Sequence, residues 1–241
     1  MRRTVCNREK GSTSNLLTVS TKVLPVWKVL VSWVGMGIVF YLSSQVLRGV
    51  PANFFLCFGM VAVLTFQYGT DSVTKLFGRM RKGTKRWIPF YLFAGFAASF
   101  VLDMIFRAQL VAHVSIESTN QLSLPAFILE MLVMVVGLIG EEASVAILAF
   151  PIFGWLNQQS ELRRYAFFLS ALISSVIFGI SHLPVYQWNW IQCIFIIGLP
   201  RIFYNYAWKK TDSLWGGVWV HVLNNWIGFI LIYVNQSLPR H

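Results

Sequence analysis

The stretch PAFILEMLVMVVGLIGEEASVAILAFPIFGWL (residues 125–156) is apolar for longer than a bilayer is thick, yet it carries Glu130, Glu141 and Glu142. A helix rises about 1.5 Å per residue, so about 20 apolar residues cross a hydrocarbon core of about 30 Å. A charge at mid-bilayer costs at least a few kcal/mol, which makes it a mark of function by default. Glu141 and Glu142 are neighbours, so on a helix they point about 100° apart and face different partners. Two adjacent carboxylates in a dry setting oppose each other's ionisation, so at least one needs a cation or keeps its proton. A carboxylate in that condition suits general-base chemistry. It equally suits an interhelical hydrogen bond that only holds a bundle together.

Six further apolar runs lie outside this stretch, at residues 24–47, 54–68, 87–106, 165–183, 188–208 and 214–234. The second is short. The first has a basic flank like a signal peptide, but its apolar run is too long and lacks a small-x-small cleavage pattern. The expectation is an all-α, polytopic membrane helix bundle of about seven transmembrane helices. It divides into a polar basic tail (1–23, with residues 1–20 loose), N-terminal membrane helices (24–124), a late helical block (125–234) and a short tail (235–241). Composition agrees: hydrophobic residues make up 56 % of 241 and charged residues only 12 %, about half of what a soluble domain carries. Mean hydropathy is +0.61. Soluble, disordered and collagen-like chains are excluded. So is a disulfide scaffold, because Cys6, Cys57 and Cys193 are scattered.

The net charge of +11 would suggest nucleic acid in a soluble protein. Here it sorts by side. The N-terminal tail and the gaps after spans two, four and six hold Lys22, Lys75, Arg79, Arg81, Lys82, Lys85, Arg86, Arg163, Arg164, Lys209 and Lys210, plus Arg2, Arg3, Arg8 and Lys10. The opposite side holds Arg48, Arg107 and Arg240. That asymmetry places the N-terminus in the cytoplasm. The basic loops then face an anionic leaflet, and the partners are the lipid bilayer and no nucleic acid.

The other polar residues within spans are few: Asp103, His182, Asn189, Arg201, Asn205, His221, Asn224 and Asn225. His221 and Asn225 are four apart and share a helix face. An imidazole N–H and an amide N–H aimed at one point are what a developing oxyanion requires. Read singly, either histidine is an interhelical hydrogen-bonding group. There is no H-E-x-x-H and no G-x-S-x-G, and a zinc set of two histidines and a glutamate stays open. Ser181 and His182 are adjacent and do not face each other. Trp188, Trp190, Tyr204, Trp208, Trp215 and Trp219 read as an interfacial belt.

Glu141-Glu142, then Phe178-x-x-x-His182, then His221-x-x-x-Asn225 resemble, in order, the three motifs of the CPBP family (CAAX protease and bacteriocin-processing, also called Abi). The resemblance spans about residues 125–230 and includes the lead-in Lys210-Thr-Asp-Ser-Leu-Trp215. It implies an intramembrane glutamic-type endopeptidase that hydrolyses a membrane-proximal peptide or protein segment. Glu141 and His182 would activate the attacking water, and His221 and Asn225 would hold the oxyanion. No cofactor is needed in that reading. Eukaryotic members trim prenylated C-terminal peptides. Bacterial members are linked to bacteriocin self-immunity and peptide maturation, and a short chain without organelle signals fits the bacterial plasma membrane.

One departure matters. The family's first motif ends in arginine, and Ala146 stands there. Glu142 therefore lacks its i+4 partner, and Arg201, the one arginine inside a late span, is the substitute to expect. The change keeps open a non-catalytic immunity or scaffold protein. A small proton-coupled transporter is a third reading, disfavoured by the absence of repeated halves. The layout also carries a conflict of depth. Glu141 lies roughly 22 Å from the basic end of its span and His221 roughly 10 Å from the start of its own. For the two to meet, span four must break near Gly137, Gly140 or Pro151, or span seven must start deeper.

Overall fold

The computed structural model describes residues 14–111 and 122–237, and these are all-α. The sequence calls on residues 1–13 and 238–241 lie outside the described residues. In chain order the helices are α1 (Asn15–Ser20), α2 (Val26–Tyr41), α3 (Gly49–Tyr68), α4 (Thr70–Leu76), α5 (Trp87–Phe106), α6 (Leu124–Gln158), α7 (Ala166–Ser181), α8 (Ile202–Thr211) and α9 (Trp215–Ser237). Among the described residues five stretches are long and apolar enough to cross a membrane: Val26–Val46, Gly49–Tyr68, Trp87–Gln109, Leu124–Gln158 and Trp215–Asn235. The short second run thus becomes a full-length helix, because it begins five residues earlier than its apolar core. The protein is a polytopic helical membrane protein.

Helix α6 is the central post. Of its apolar window 67 % is buried, against 11–28 % for the other four long helices. Its main neighbours are α3 and α7, with α9 alongside. Close approach to α3 depends on Gly140, where a Cβ would stand 2.8 Å from the backbone nitrogen of Cys57. Small residues serve this purpose where lipid supplies no hydrophobic drive between helices.

A break in α6, one of the two routes expected to bring Glu141 and His221 together, does not occur. The helix runs 35 residues without interruption through Pro151, or about 52 Å. That exceeds a bilayer core, so the helix overshoots where it was expected to bend, and Glu141 and Glu142 sit at its middle. A proline inside a helix orphans the carbonyl four residues back, here Ile147. Gln67 Nε2 on α3 donates to that carbonyl at 3.2 Å and Trp33 Nε1 on α2 at 3.3 Å. Neighbouring helices thus replace the lost bond, as an apolar setting demands. Gln67→Leu should cost about 1 kcal/mol in thermal unfolding of the detergent-solubilised protein. The cost should shrink in a Pro151→Ala background, where the helix satisfies Ile147 itself.

Two further expectations are corrected. Residues 14–20, read as part of a loose tail, form α1, with Leu16 and Val19 buried against α4 and α6. Asp212 fixes its start, accepting from Ser14 Oγ and from the backbone of Asn15 and Leu16. The sixth span is not one α-helix. After a loop through Asn189 it winds as a π-helix (Gln192–Gly198) and a 3-10 turn (Leu199–Arg201) before α8. Gly198 and Gly179 let this rod press against α7, where added Cβ atoms would meet backbone. Pro200 follows at once, and the change of winding carries Arg201 into the interior (1 % exposed).

Candidate active site

Four rods converge on the middle of α6. Glu142 is fully buried and its carboxylate accepts three bonds. Arg201 Nη1 donates to Oε1 at 2.7 Å, Trp208 Nε1 to Oε2 at 2.7 Å, and His221 Nδ1 to Oε1 at 2.9 Å. Bonds of this charge-assisted kind are the strong ones. Arg201 therefore stands where the sequence lacks an arginine at 146, while Ala146 packs in the apolar core. Gly217 on α9 makes room, since a Cβ there would lie 2.5 Å from Glu142 Oε2 and would also strike the Trp208 indole. Gly217→Ala should therefore destabilise the protein by about 1–3 kcal/mol, read as a lower melting temperature in detergent.

Glu141 turns the other way, as the helical angle requires. Its side chain is 21 % exposed, and its Oε2 lies 3.7 Å from His221 Nε2. His221 is thus held between the two glutamates, with Nδ1 on Glu142 and Nε2 toward Glu141. Glu142 is saturated by donors and can only accept, so the hydrogen of that bond sits on Nδ1.

His182 caps the C-terminus of α7. Its Nδ1 lies 2.9 Å from the Phe178 carbonyl, which can only accept. In the neutral ring this bond leaves Nε2 with a lone pair, as a base requires. Phe178 also stacks under the Arg201 guanidinium at 4.2 Å and packs on both histidine rings. The phenylalanine of the second motif is therefore a common floor for three polar groups. The Ser181 hydroxyl donates to the Phe178 carbonyl at 2.7 Å and also lies 3.3 Å from His182 Nδ1, so these neighbours do meet, contrary to the expectation from helical spacing, because both turn toward the same carbonyl.

A cavity of about 350 Å³ is lined by Glu141, His182, His221 and Asn225, with Arg201 in its wall. A smaller hollow of about 220 Å³ reaches Glu141 and His182 from the α2–α3 side, past Phe40 and Asn53. The structure thus brings together all four residues singled out for catalysis and both supporting ones. It does not bring Asp103, Glu130, Asn189 or Asn205 to the cavity. Glu130 is exposed, Asn189 donates to the Gln109 carbonyl, and Asn205 bonds Ser174 and the Ala171 carbonyl. Among the described residues no three His, Cys, Asp or Glu side chains are arranged to hold a metal ion.

Sequence reasoning missed two members. Trp208, assigned to the aromatic belt, is fully buried and bonds Glu142. Tyr204 is buried, with its ring 5.2 Å from His221. Both lie on the helix face of Arg201, three and seven residues on, and that spacing was the available signal. Trp188, Trp190 and Trp219 are exposed, as a belt residue should be.

A polytopic helix bundle with a buried, paired glutamate and a second glutamate beside two histidines defines the class: a membrane protein with the cluster of a glutamate-dependent intramembrane protease. Residues 84–227 match the sequence model of the type II CAAX prenyl endopeptidase Rce1-like family. This is more than half of the chain, and the chain belongs to that family. The match begins at the third span, ahead of the stretch that carries the three motifs. Neither a curated protein nor a solved structure matches the chain.

Proposed function

We propose that this protein is an active intramembrane endopeptidase. The observation that supports it most is the convergence of Glu141, His182, His221 and Asn225 on one cavity. In this reading Glu141 and His182 Nε2 bind a water molecule and take one of its protons while its oxygen attacks the scissile carbonyl carbon. The carbonyl becomes an oxyanion that the Asn225 amide N–H groups stabilise, joined by His221 Nε2 when that nitrogen also carries a proton. The C–N bond then breaks, and the abstracted proton passes to the leaving amine. Glu142 and its cation Arg201 hold the His221 ring in place. Zinc is not required by these steps.

We also infer that Ala166–Ser181 and the rod 190–211 complete a set of about seven crossings. The basic loops and the N-terminus then lie in the cytoplasm, supported by the distribution of Lys and Arg. Residues 1–23, 24–124, 125–234 and 235–241 then serve as tail, supporting helices, catalytic helices and short tail. The substrate is a peptide or protein segment reaching the membrane. We place the protein in the plasma membrane of a bacterium, with a role in peptide maturation or bacteriocin self-immunity, on its resemblance to the bacterial members of the family.

The rival, a non-catalytic immunity or scaffold protein, drew its support from the missing arginine at 146. Arg201 now occupies that place. The decisive experiment compares the peptides that accumulate in cells carrying the parent or Glu141→Gln, with and without a chelator. Fragments present only with the parent, and insensitive to the chelator, are the expected result. Identical peptide pools would leave the binding-protein reading in possession.

A further inference from the structure

Arg201 uses only part of its hydrogen-bonding capacity. Nη1 donates to Glu142, while Nε and Nη2 are buried and have no hydrogen-bond partner. The Nε–H and the adjacent Nη2–H point the same way and form the side-on fork with which arginine makes two parallel bonds. The residue is 1 % exposed, yet it lines the cavity that holds Glu141 and His182. The guanidinium cannot swing to find other partners. Glu142 holds one end, and the rings of Phe178 and Tyr204 lie 4.2 Å and 5.4 Å from its carbon. Unmet buried donors are unfavourable and rare, so the fork is kept for an acceptor that comes into the cavity.

Resting on the endopeptidase reading, we propose that Arg201 is a substrate-binding residue whose free edge takes a backbone carbonyl of the bound peptide, one beside the carbonyl under attack. The charges select a neutral acceptor. Glu142 already balances the guanidinium, and Glu141 adds a negative charge to the same cavity, so a second carboxylate would meet repulsion. The geometry selects a neighbouring carbonyl. Arg201 and the Nδ1 side of His221 share Glu142 Oε1, whereas Nε2 lies across the ring toward Glu141. The Arg201 guanidinium is therefore on the side of His221 away from Glu141 and the attacking water, so a carbonyl on its free edge is not the one under attack.

The test uses the full chain in phospholipid vesicles and, as probe, a pool of random octapeptides tethered to the vesicle by an N-terminal acyl chain. One cleaved sequence is resynthesised with single carbonyl-to-thiocarbonyl replacements, because sulfur is the poorer acceptor. One position other than the scissile one should lower kcat/KM of the parent about tenfold. Arg201→Lys keeps a cation for Glu142 but loses the fork. It should lower kcat/KM on the unmodified peptide about tenfold, and the critical thiocarbonyl should then add less than twofold. Such non-additivity reports direct contact. If the lysine variant does not fold, Arg201→Gln, which keeps an amide donor for Glu142 and loses the fork, supplies the same cycle. Multiplying effects would make Arg201 a purely structural residue, and coupling at the scissile carbonyl would make it an oxyanion donor; either overturns the assignment. Absence of any Glu141-dependent cleavage by the parent would overturn the endopeptidase reading as well.

Discussion

Arg201→Ala should leave a protein that unfolds at markedly lower temperature in detergent and accumulates poorly in membranes. The reason is the company Glu142 keeps. Its carboxylate is fully buried, and the arginine 2.7 Å away is its one permanent cation among the described residues. Removing one partner of a buried pair strands the other, at a cost of about 3–5 kcal/mol. Trp208 and His221 would remain as donors, which keeps the loss toward the lower end of that range. Adding Glu142→Gln removes the stranded charge, so the double variant should regain part of the stability that Arg201→Ala loses. It should not regain activity, because His221 then loses the carboxylate that orients it. Thermal denaturation of the two variants beside the parent settles the point. Unchanged melting in Arg201→Ala would show that the pair contributes nothing to the fold.

What was legible in the sequence divides along a physical line. Apolar length alone marked residues 87–106 and 214–234 close to their true limits, because bilayer thickness acts on every span in the same way. The motif residues on α6, α7 and α9 were also legible, since a charge or an imidazole within an apolar run has few uses. Contacts between helices distant in sequence were not. Pro151 read as a break because the donors that satisfy Ile147 lie on α2 and α3, at Trp33 and Gln67. Trp208 read as an interfacial ring because, apart from its seven-residue spacing from Arg201, it looks the same in sequence as Trp219, which is 41 % exposed. The π-helix before Arg201 escaped because a pattern of period 3.6 does not register a wider turn. Arg201 itself was named as a substitute partner by elimination, and its neighbours on the same face were overlooked.

Glu141→Gln should reduce peptide hydrolysis by at least about a hundredfold, and up to about ten-thousandfold, the range over which a positioned general base acts. The substitution is nearly isosteric and removes the capacity to take a proton. Stability should be almost unaffected, because Glu141 is partly exposed to the cavity and its nearest cation-forming group, His221 Nε2, is 3.7 Å away. That contrast with Arg201→Ala would separate the two glutamates by experiment, Glu142 as the support of the fold and Glu141 as the proposed base. His182→Ala should cause a loss of similar size, since its free Nε2 shares the same water. The combined variant should then be little worse than either single one, because groups that serve one proton transfer fail together. Initial rates on an acyl-tethered peptide in vesicles, for the parent, both single variants and the double, provide the measurement. If the two losses multiply, Glu141 and His182 act in separate steps, and the water they were assigned to share has no place in the mechanism.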